Sequence, residues 1–177
     1  DVNGDDCDDI AIGAPYYNHE GFSDAGRVYV FYGCQETLSG LNDLPDWAYS
    51  PSQAYAFFGI DVNGGGDTDH DTFNELLVGA HMYDGLTVDE GAVFAFFGGL
   101  GGLPDYPGWQ AEGNKNDTEF GFRVDGAGDT DRDGFADVIV GSPMYRTNEN
   151  LKGAAFLYFG TSDKTFYFVH LPFLIKE

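Results

Sequence analysis

Short apolar runs separated by Gly- and Asp-rich stretches recur along the whole chain in a fixed order. Three segments align on an aspartate: DVNGDDCDDIAIGAP from Asp1, DTDHDTFNELLVGAH from Asp67 and DTDRDGFADVIVGSP from Asp129. In each, a polar loop gives way to an apolar stretch that reaches glycine at Gly13, Gly79 and Gly141. A second apolar block follows: GRVYVFYG at 26–33, GAVFAFFG at 91–98 and GAAFLYFG at 153–160. Then come Trp47 or Trp109, and after them Phe58-Gly59 or Phe120-Gly121. From Asp1 to Asp67 and from Asp67 to Asp129 the periods are 66 and 62 residues. The difference is confined to two short polar stretches, one before Gly26 and one between Gly33 and Trp47. Loops between fixed strands tolerate such insertions, so the repeat is structural.

Each unit reads as strand, loop, strand, turn, strand, strand. Phe120 to Val124 is a first strand and Ala136 to Val140 a second, short and rich in β-branched residues. Ala154 to Phe159 is a third, and the Trp109 region gives a fourth. No segment sustains a helical period. Four short strands per unit predict an all-β fold of β-propeller blades, each a four-stranded antiparallel sheet, in a partial propeller of roughly three blades. The predicted boundaries are 1–55 for an incomplete first blade that begins in its acidic loop, 56–117 for a second, and 118–177 for a third. The tail after Gly160 fits the repeat poorly, because Phe166 to Ile175 is apolar where the corresponding stretches are polar and Gly-rich. It reads equally as a last strand, a cap or an altered reading frame. A chain that begins at Asp1, inside a motif, is expected to be a piece or a processed product of a longer one.

The polar loops carry the candidate chemistry. Calcium takes six to eight oxygens, and alternate residues of a tight loop can aim side chains at one point. The first loop offers Asp1, Asn3, Asp5, the carbonyl of Cys7, and Asp9. The second offers Asp67, Asp69, Asp71, the carbonyl of Phe73, and Glu75. The third offers Asp129, Asp131, Asp133, the carbonyl of Phe135, and Asp137. Without a cation these carboxylates would repel one another. A single such loop is as well explained by a solvated acidic turn; three in register predict up to three Ca2+ sites. An EF-hand would need Glu at position 12, leading into a helix. Here position 12 is Ile12, Val78 or Val140, and the closing acid sits at position 9. Position 6 calls for a sharp turn: Gly134 suits it, Asp6 tolerates it, and β-branched Thr72 fits it worst. Asp61-Val62-Asn63-Gly64 copies the start of the first loop, but Gly65 then supplies no oxygen at position 5, so Asp67 is taken as the true start. Position 7 holds Cys7, Phe73 and Phe135, which read as apolar plugs under their loops.

Composition sharpens the picture. The 177 residues include 26 Gly and 30 acidic against 8 basic residues, for a net charge of −22. That charge excludes non-specific binding to nucleic acid or anionic membrane. No apolar stretch of ~20 residues exists to insert in a bilayer. Three calcium ions would cancel only part of the charge, so the remaining surface is acidic as well. Two cysteines are too few to define a disulfide framework.

Phe-Gly, an acidic loop closed at position 9, then Gly-Ala-Pro resembles the FG-GAP repeat family. Integrin α-subunit propellers and many bacterial secreted proteins carry that repeat. The resemblance rests on Gly13-Ala14-Pro15, Gly79-Ala80, Gly141-Ser142-Pro143, Phe58-Gly59, Phe120-Gly121 and the three loops. His81 stands where the second Pro would be. The resemblance implies a seven-bladed propeller, calcium in hairpin loops on one face and partner binding on the other. Further blades would then be needed to close the ring.

Three functions remain open. One is an extracellular or cell-surface module for adhesion, recognising a protein or glycan. Another is a calcium-stabilised structural scaffold. The last is a non-catalytic propeller part of a secreted hydrolase or lyase. No enzyme activity is expected of the chain itself. His19, His70, His81 and His170 share no repeat position, and no nucleophile elbow, zinc motif or phosphate loop is present. His70 is expected to face solvent and His81 to fill a turn. Tyr16, Tyr17, Tyr83 and Tyr145 follow the Gly-Ala-Pro positions and could either bind a partner or pack between blades.

Overall fold

The computed structural model describes residues 1–34, 44–147, 150–151 and 153–169. All helix-or-strand structure among these is β. Strands β1 (Ile10–Ala14), β2 (Arg27–Phe31) and β3 (Trp47–Tyr49) form one sheet. A second sheet orders β4 (Asp61–Gly66), β5 (Glu75–Ala80), β6 (Ala92–Phe96) and β7 (Trp109–Glu112). The third contains β8 (Arg123–Gly128) and β9 (Asp137–Ser142). After a small hairpin of β10 (Arg146–Thr147) and β11 (Asn150–Leu151) it adds β12 (Ala154–Phe159) and β13 (Tyr167–Val169). All neighbours within each sheet are antiparallel. These are β-propeller blades in meander order, stacked in sequence. The β13 pairing, Phe159 with Tyr167 through Leu157 with Val169, makes that part of the tail a last strand; residues 170–177 lie outside the described residues.

One expectation shifts. The strand predicted over Phe120 to Val124 begins later and runs on to Gly128. Phe120 and Gly121 precede it, in the turn that carries the chain from one blade to the next. Gly121 N–H donates to Gly141 O at 3.1 Å, as Gly59 N–H donates to Gly79 O at 2.9 Å. Both turn glycines have positive φ, +85° at Gly59 and +81° at Gly121, a region open to glycine and costly for most side chains. The glycines of the Gly-Ala-Pro motif meet them from the other side. A methyl group on Gly13 would overlap the Gly59 carbonyl oxygen, and one on Gly79 would overlap that of Gly121. The Phe-Gly and Gly-Ala-Pro motifs are thus two halves of one backbone contact between successive blades.

That contact delivers each motif Phe into the core. Phe58 is fully buried with Val28, Val30, Trp47, Leu76, Val78, Phe94 and Phe96, between the first two sheets. Phe120 is buried with Leu77, Val93, Val124, Val138, Val140 and Tyr158, between the second and third. Alternate residues of β5 and β6 therefore serve opposite cores: Leu76, Val78, Phe94 and Phe96 one, Leu77, Val93 and Ala95 the other. This is the period-2 pattern of a strand with both faces apolar, as a middle blade requires. On the outer faces apolar side chains lie open: Ile10 and Ile12 are 44% and 48% exposed, and Ile139 39%.

The inner strands also lock polar groups across the blades. Asp61 Oδ2 accepts from Val124 N at 2.9 Å, and Asn63 Nδ2 donates to Val124 O at 2.8 Å. The segment from Asp61 that mimics a metal loop is a strand whose side chains hold the next blade.

Gly79→Ala is expected to cost about 1–3 kcal/mol or more, since the new methyl must push apart two backbones. Gly99→Ala, where nothing lies within 4 Å of the added carbon, is expected to be nearly neutral. Denaturant midpoints of the two variants check this; equal midpoints would refute the contact.

Candidate metal loops

The three acidic loops are built by one hydrogen-bond plan. Asp67 Oδ1 accepts from Asp71 N (3.0 Å) and its Oδ2 from Thr72 N (3.0 Å). Asp69 Oδ1 also accepts from Asp71 N (3.1 Å), and Asp71 Oδ1 accepts from Phe73 N (3.1 Å). The third loop repeats every one of these, with Asp129 to Asp133 N and Gly134 N, Asp131 to Asp133 N, and Asp133 to Phe135 N. So does the first, through Asp1, Asn3 and Asp5. Short side chains at positions 1, 3 and 5 fold the loop by bonding nearby backbone N–H groups. At positions 3 and 5 of the second and third loops these backbone bonds use only one of the two carboxylate oxygens. Position 6 has positive φ in all three loops: 64° at Asp6, 79° at Thr72 and 96° at Gly134. Position 4 does too, at Gly4, His70 and Arg132, which the sequence reading missed.

Two loops gather carboxylates tightly. Asp67, Asp69 and Asp71 offer oxygens all within 4.8 Å of one another, and so do Asp129, Asp131 and Asp137. Glu75 and Asp133 stand outside these triplets. In the first loop Asn3 replaces an acid, and its Nδ2 donates to Asp5 Oδ2 at 3.0 Å.

The acid at position 9 has a second task. Asp9 Oδ2 accepts from Val2 N (2.8 Å), Glu75 Oε2 from Thr68 N (2.6 Å) and Asp137 Oδ2 from Thr130 N (2.7 Å). The other oxygen of Asp9 takes Gly33 N, and that of Asp137 takes Gly160 N. The longer Glu75 is fully buried, yet its Oε1 has no hydrogen-bond partner. Burial pushes Glu75 up to about 7; Thr68 opposes this and the charges of Asp69 and Asp71 add to it. Asp131 is likewise raised, by desolvation first and by Asp133, Asp137 and Asp129 after it. Asp71 moves the other way. Burial would raise it, but the Phe73 N–H and the ammonium of Lys164 hold it below the usual carboxylate range. A set of hard oxygen donors at close range, with a buried oxygen left unpaired, fits a divalent cation.

Consecutive loops touch. Asn74 N–H donates to Asp1 O at 3.2 Å, and Ala136 N–H to Asp67 O at 3.0 Å. The position 7 rings of the second and third loops reach the preceding loop. The Phe73 ring lies against Gly4, and Phe135 meets the His70 ring edge-on at 5.9 Å. His70 is exposed, as expected, and also lies against the third loop, with Nδ1 3.0 Å from Gly134 O.

The first and third units match the sequence profile of the FG-GAP repeat, over residues 1–31 and 120–158. The chain belongs to the FG-GAP repeat family. It is 34% identical over 152 residues to integrin alpha-5 of Xenopus laevis, covering 80% of this chain and 14% of that protein. With human integrin alpha-IIb it shares 33% identity over 147 residues, again 80% of this chain and 14% of the relative. Integrin alpha-PS3 of Drosophila melanogaster is 30% identical over 149 residues, 81% of this chain and 13% of the relative. The FG-GAP chain thus spans about a seventh of the length of these relatives. Among the described residues no helix is long and apolar enough to cross a membrane.

Cys7 is no free apolar plug, because it forms a disulfide with Cys34, with Cα atoms 5.8 Å apart. The count of two cysteines held no signal for this. The pairing comes from β1 and β2 lying side by side, which brings the loop before one to the end of the other. His81 packs between the rings of Phe57 and Phe122 at the seam of two blades, where a proline would stand in the motif. His170 lies outside the described residues. Tyr83 packs against Phe94 in the first core and Tyr145 against Phe156, whereas Tyr16 is exposed.

The disulfide closes a separation of 27 residues, for which loop-closure entropy gives about 3.5 kcal/mol. Cys34→Ser is expected to lower stability by about that amount. Thiol labelling of the unreduced, unfolded chain is expected to find no free cysteine; two labelled thiols would refute the bridge.

Proposed function

We propose that this chain is a calcium-binding FG-GAP β-propeller module of an extracellular or cell-surface protein, carrying a surface that recognises a protein or glycan. The observation that supports it most is the row of three like-built loops, each in contact with the next. Asp67, Asp69, Asp71, the Phe73 carbonyl and Glu75 would hold the ion in the second loop. Asp129, Asp131, Asp133, the Phe135 carbonyl and Asp137 would do so in the third, and Asp1, Asn3, Asp5, the Cys7 carbonyl and Asp9 in the first. A bound cation supplies charge neutralisation. The chain's own part is to converge oxygens at the tips of two-stranded hairpins and to tie each tip to its neighbour. The integrin α relatives favour adhesion, and a disulfide favours an oxidising compartment. The open Ile10, Ile12 and Ile139 side chains favour further blades on either side. The contact between loops also supports a scaffold reading, in which calcium serves mainly to stiffen the row. We propose no reaction for the chain itself, because the paired acids recur in every repeat, as a metal role requires.

Calcium binds the folded loop and not the unfolded chain, so each site adds about 2.7 kcal/mol at ~100 times its dissociation constant. Chelation is therefore expected to lower the melting temperature, and magnesium to restore it poorly. Asp133→Ala is expected to remove binding at the third loop. Asp61→Ala should weaken the fold yet leave second-loop binding intact. Calorimetric titration with melts in and out of chelator tests this. No calcium heat and an unchanged melt would overturn the metal reading.

A further inference from the structure

The turn after β12 reaches back to the neighbouring sheet and puts an ammonium group into the second acidic loop. Lys164 Nζ lies 2.9 Å from Asp69 Oδ2 and 3.0 Å from Asp71 Oδ2. These are the two oxygens that the loop's own backbone leaves free, since Asp69 Oδ1 and Asp71 Oδ1 take the N–H groups of Asp71 and Phe73. The turn is built to present this side chain. Thr161 Oγ1 donates to Thr165 O (2.7 Å), Thr165 Oγ1 to Asp163 Oδ1 (2.6 Å) and Lys164 N to Thr161 O (3.2 Å). The ammonium also sits 5.3 Å from the centre of the Phe97 ring. The three loops differ at this point. In the first, Asn3 Nδ2 bonds Asp5 Oδ2 from within the loop. In the third, no lysine or arginine forms an ion pair with Asp131 or Asp133 among the described residues.

We propose that Lys164 is a tethered counter-cation of the second loop, competing with a divalent ion for Asp69 and Asp71, so that filling this loop releases the turn at 161–165 of the next blade. The inference rests on the calcium reading above. An ammonium and a divalent ion cannot share the same two oxygens without like charges in contact. Exposure decides which group moves. The Asp69 side chain is 1% exposed and fixed, while that of Lys164 is 48% exposed and can turn out into water. The second loop is then the weaker calcium site of the two all-acid loops and the one that survives without an ion. Its occupancy is also linked to the position of a turn whose sequence lies more than ninety residues away.

The test is calcium titration of the full chain by calorimetry, with Asp69→Ala marking which transition belongs to the second loop. Lys164→Met is expected to tighten that transition about tenfold and leave the third loop's unchanged, and to lower the melting temperature in chelator. Lys164→Arg, which keeps the charge, is expected to stay near wild type and guards against a folding defect in the Met variant. In wild-type chain, calcium is expected to shift the amide resonances of 161–165, and in Asp69→Ala it is not. Equal second-loop affinity in Lys164→Met and wild type, with calcium still binding the third loop, overturns the counter-cation and spares the calcium reading. Amide shifts at 161–165 that persist in Asp69→Ala also overturn it. Calcium binding at no loop overturns both.

Discussion

Two backbones in contact, with no side chain between them, set how one blade sits on the next. Gly59 lies between Gly13 of the blade before and Gly79 of its own blade, and Gly121 repeats the arrangement one blade on. No other residue type fits there, since a Cβ at Gly13 or Gly79 would enter a carbonyl oxygen. Contact this close fixes the spacing and rotation of adjacent sheets near their inner strands. It also fixes the residue before each turn glycine, so Phe58 and Phe120 enter the inter-blade cores at equivalent points. Burying such a ring is worth several kcal/mol against alanine. The backbone contact itself contributes little directly, but it decides whether that burial occurs.

The position of the loops follows from the same geometry. β4 and β5 part at a bulge where the register shifts between Gly64 and Gly66, and β8 and β9 part at the matching point between Gly126 and Gly128. A bulge bends and twists its strand, and here it turns the chain into the acidic loop. Asp61 and Asn63 of β4 grip Val124 of β8, so the two bulges stand side by side. The loops beyond them must then touch. The backbone bonds from Asn74 to Asp1 and from Ala136 to Asp67 are the result. An acidic row of this kind is a consequence of blade stacking, and its charge is a cost that the row must offset locally.

Much of this was legible in the residues. Period, strand types, loop register and the family followed from Asp67 aligning with Asp1 and Asp129, and from glycines at fixed distances. What escaped lay between units, where a repeat alignment is blind. Position 7 pointed to an apolar plug, yet Phe73 and Phe135 reach the preceding loop and Cys7 is tied to Cys34. His70 is exposed, as its loop position predicts, but its contact with Gly134 O of the next loop has no signal within its own loop. Asp61 was set aside as a false start, correctly by count of oxygens, but its bond to Val124 N is a tertiary fact. Lys164 lay in the stretch that fitted the repeat least, and no local signal connects it to Asp69.

The three loops solve one electrostatic problem by different means. The second brings carboxylate oxygens of positions 1, 3 and 5 together and the third those of positions 1, 3 and 9, and both must live with their repulsion when no ion is bound. The first replaces one carboxylate with Asn3, whose amide bonds Asp5, and a disulfide anchors position 7. The second keeps all three acids and sets an ammonium against two of them. The third keeps its acids with no such partner among the described residues, and Asp131 is raised, by desolvation first and by Asp133, Asp137 and Asp129 after it. It also has glycine at position 6, where the second loop holds Thr72 at a φ of 79°. On the calcium reading proposed above, the resident cation makes the second loop less dependent on a metal, and uncompensated charge makes the third more so. Equivalence in sequence register therefore does not carry over to equivalence in metal dependence. On the same calcium reading, the third hairpin is the one whose order depends most on an ion.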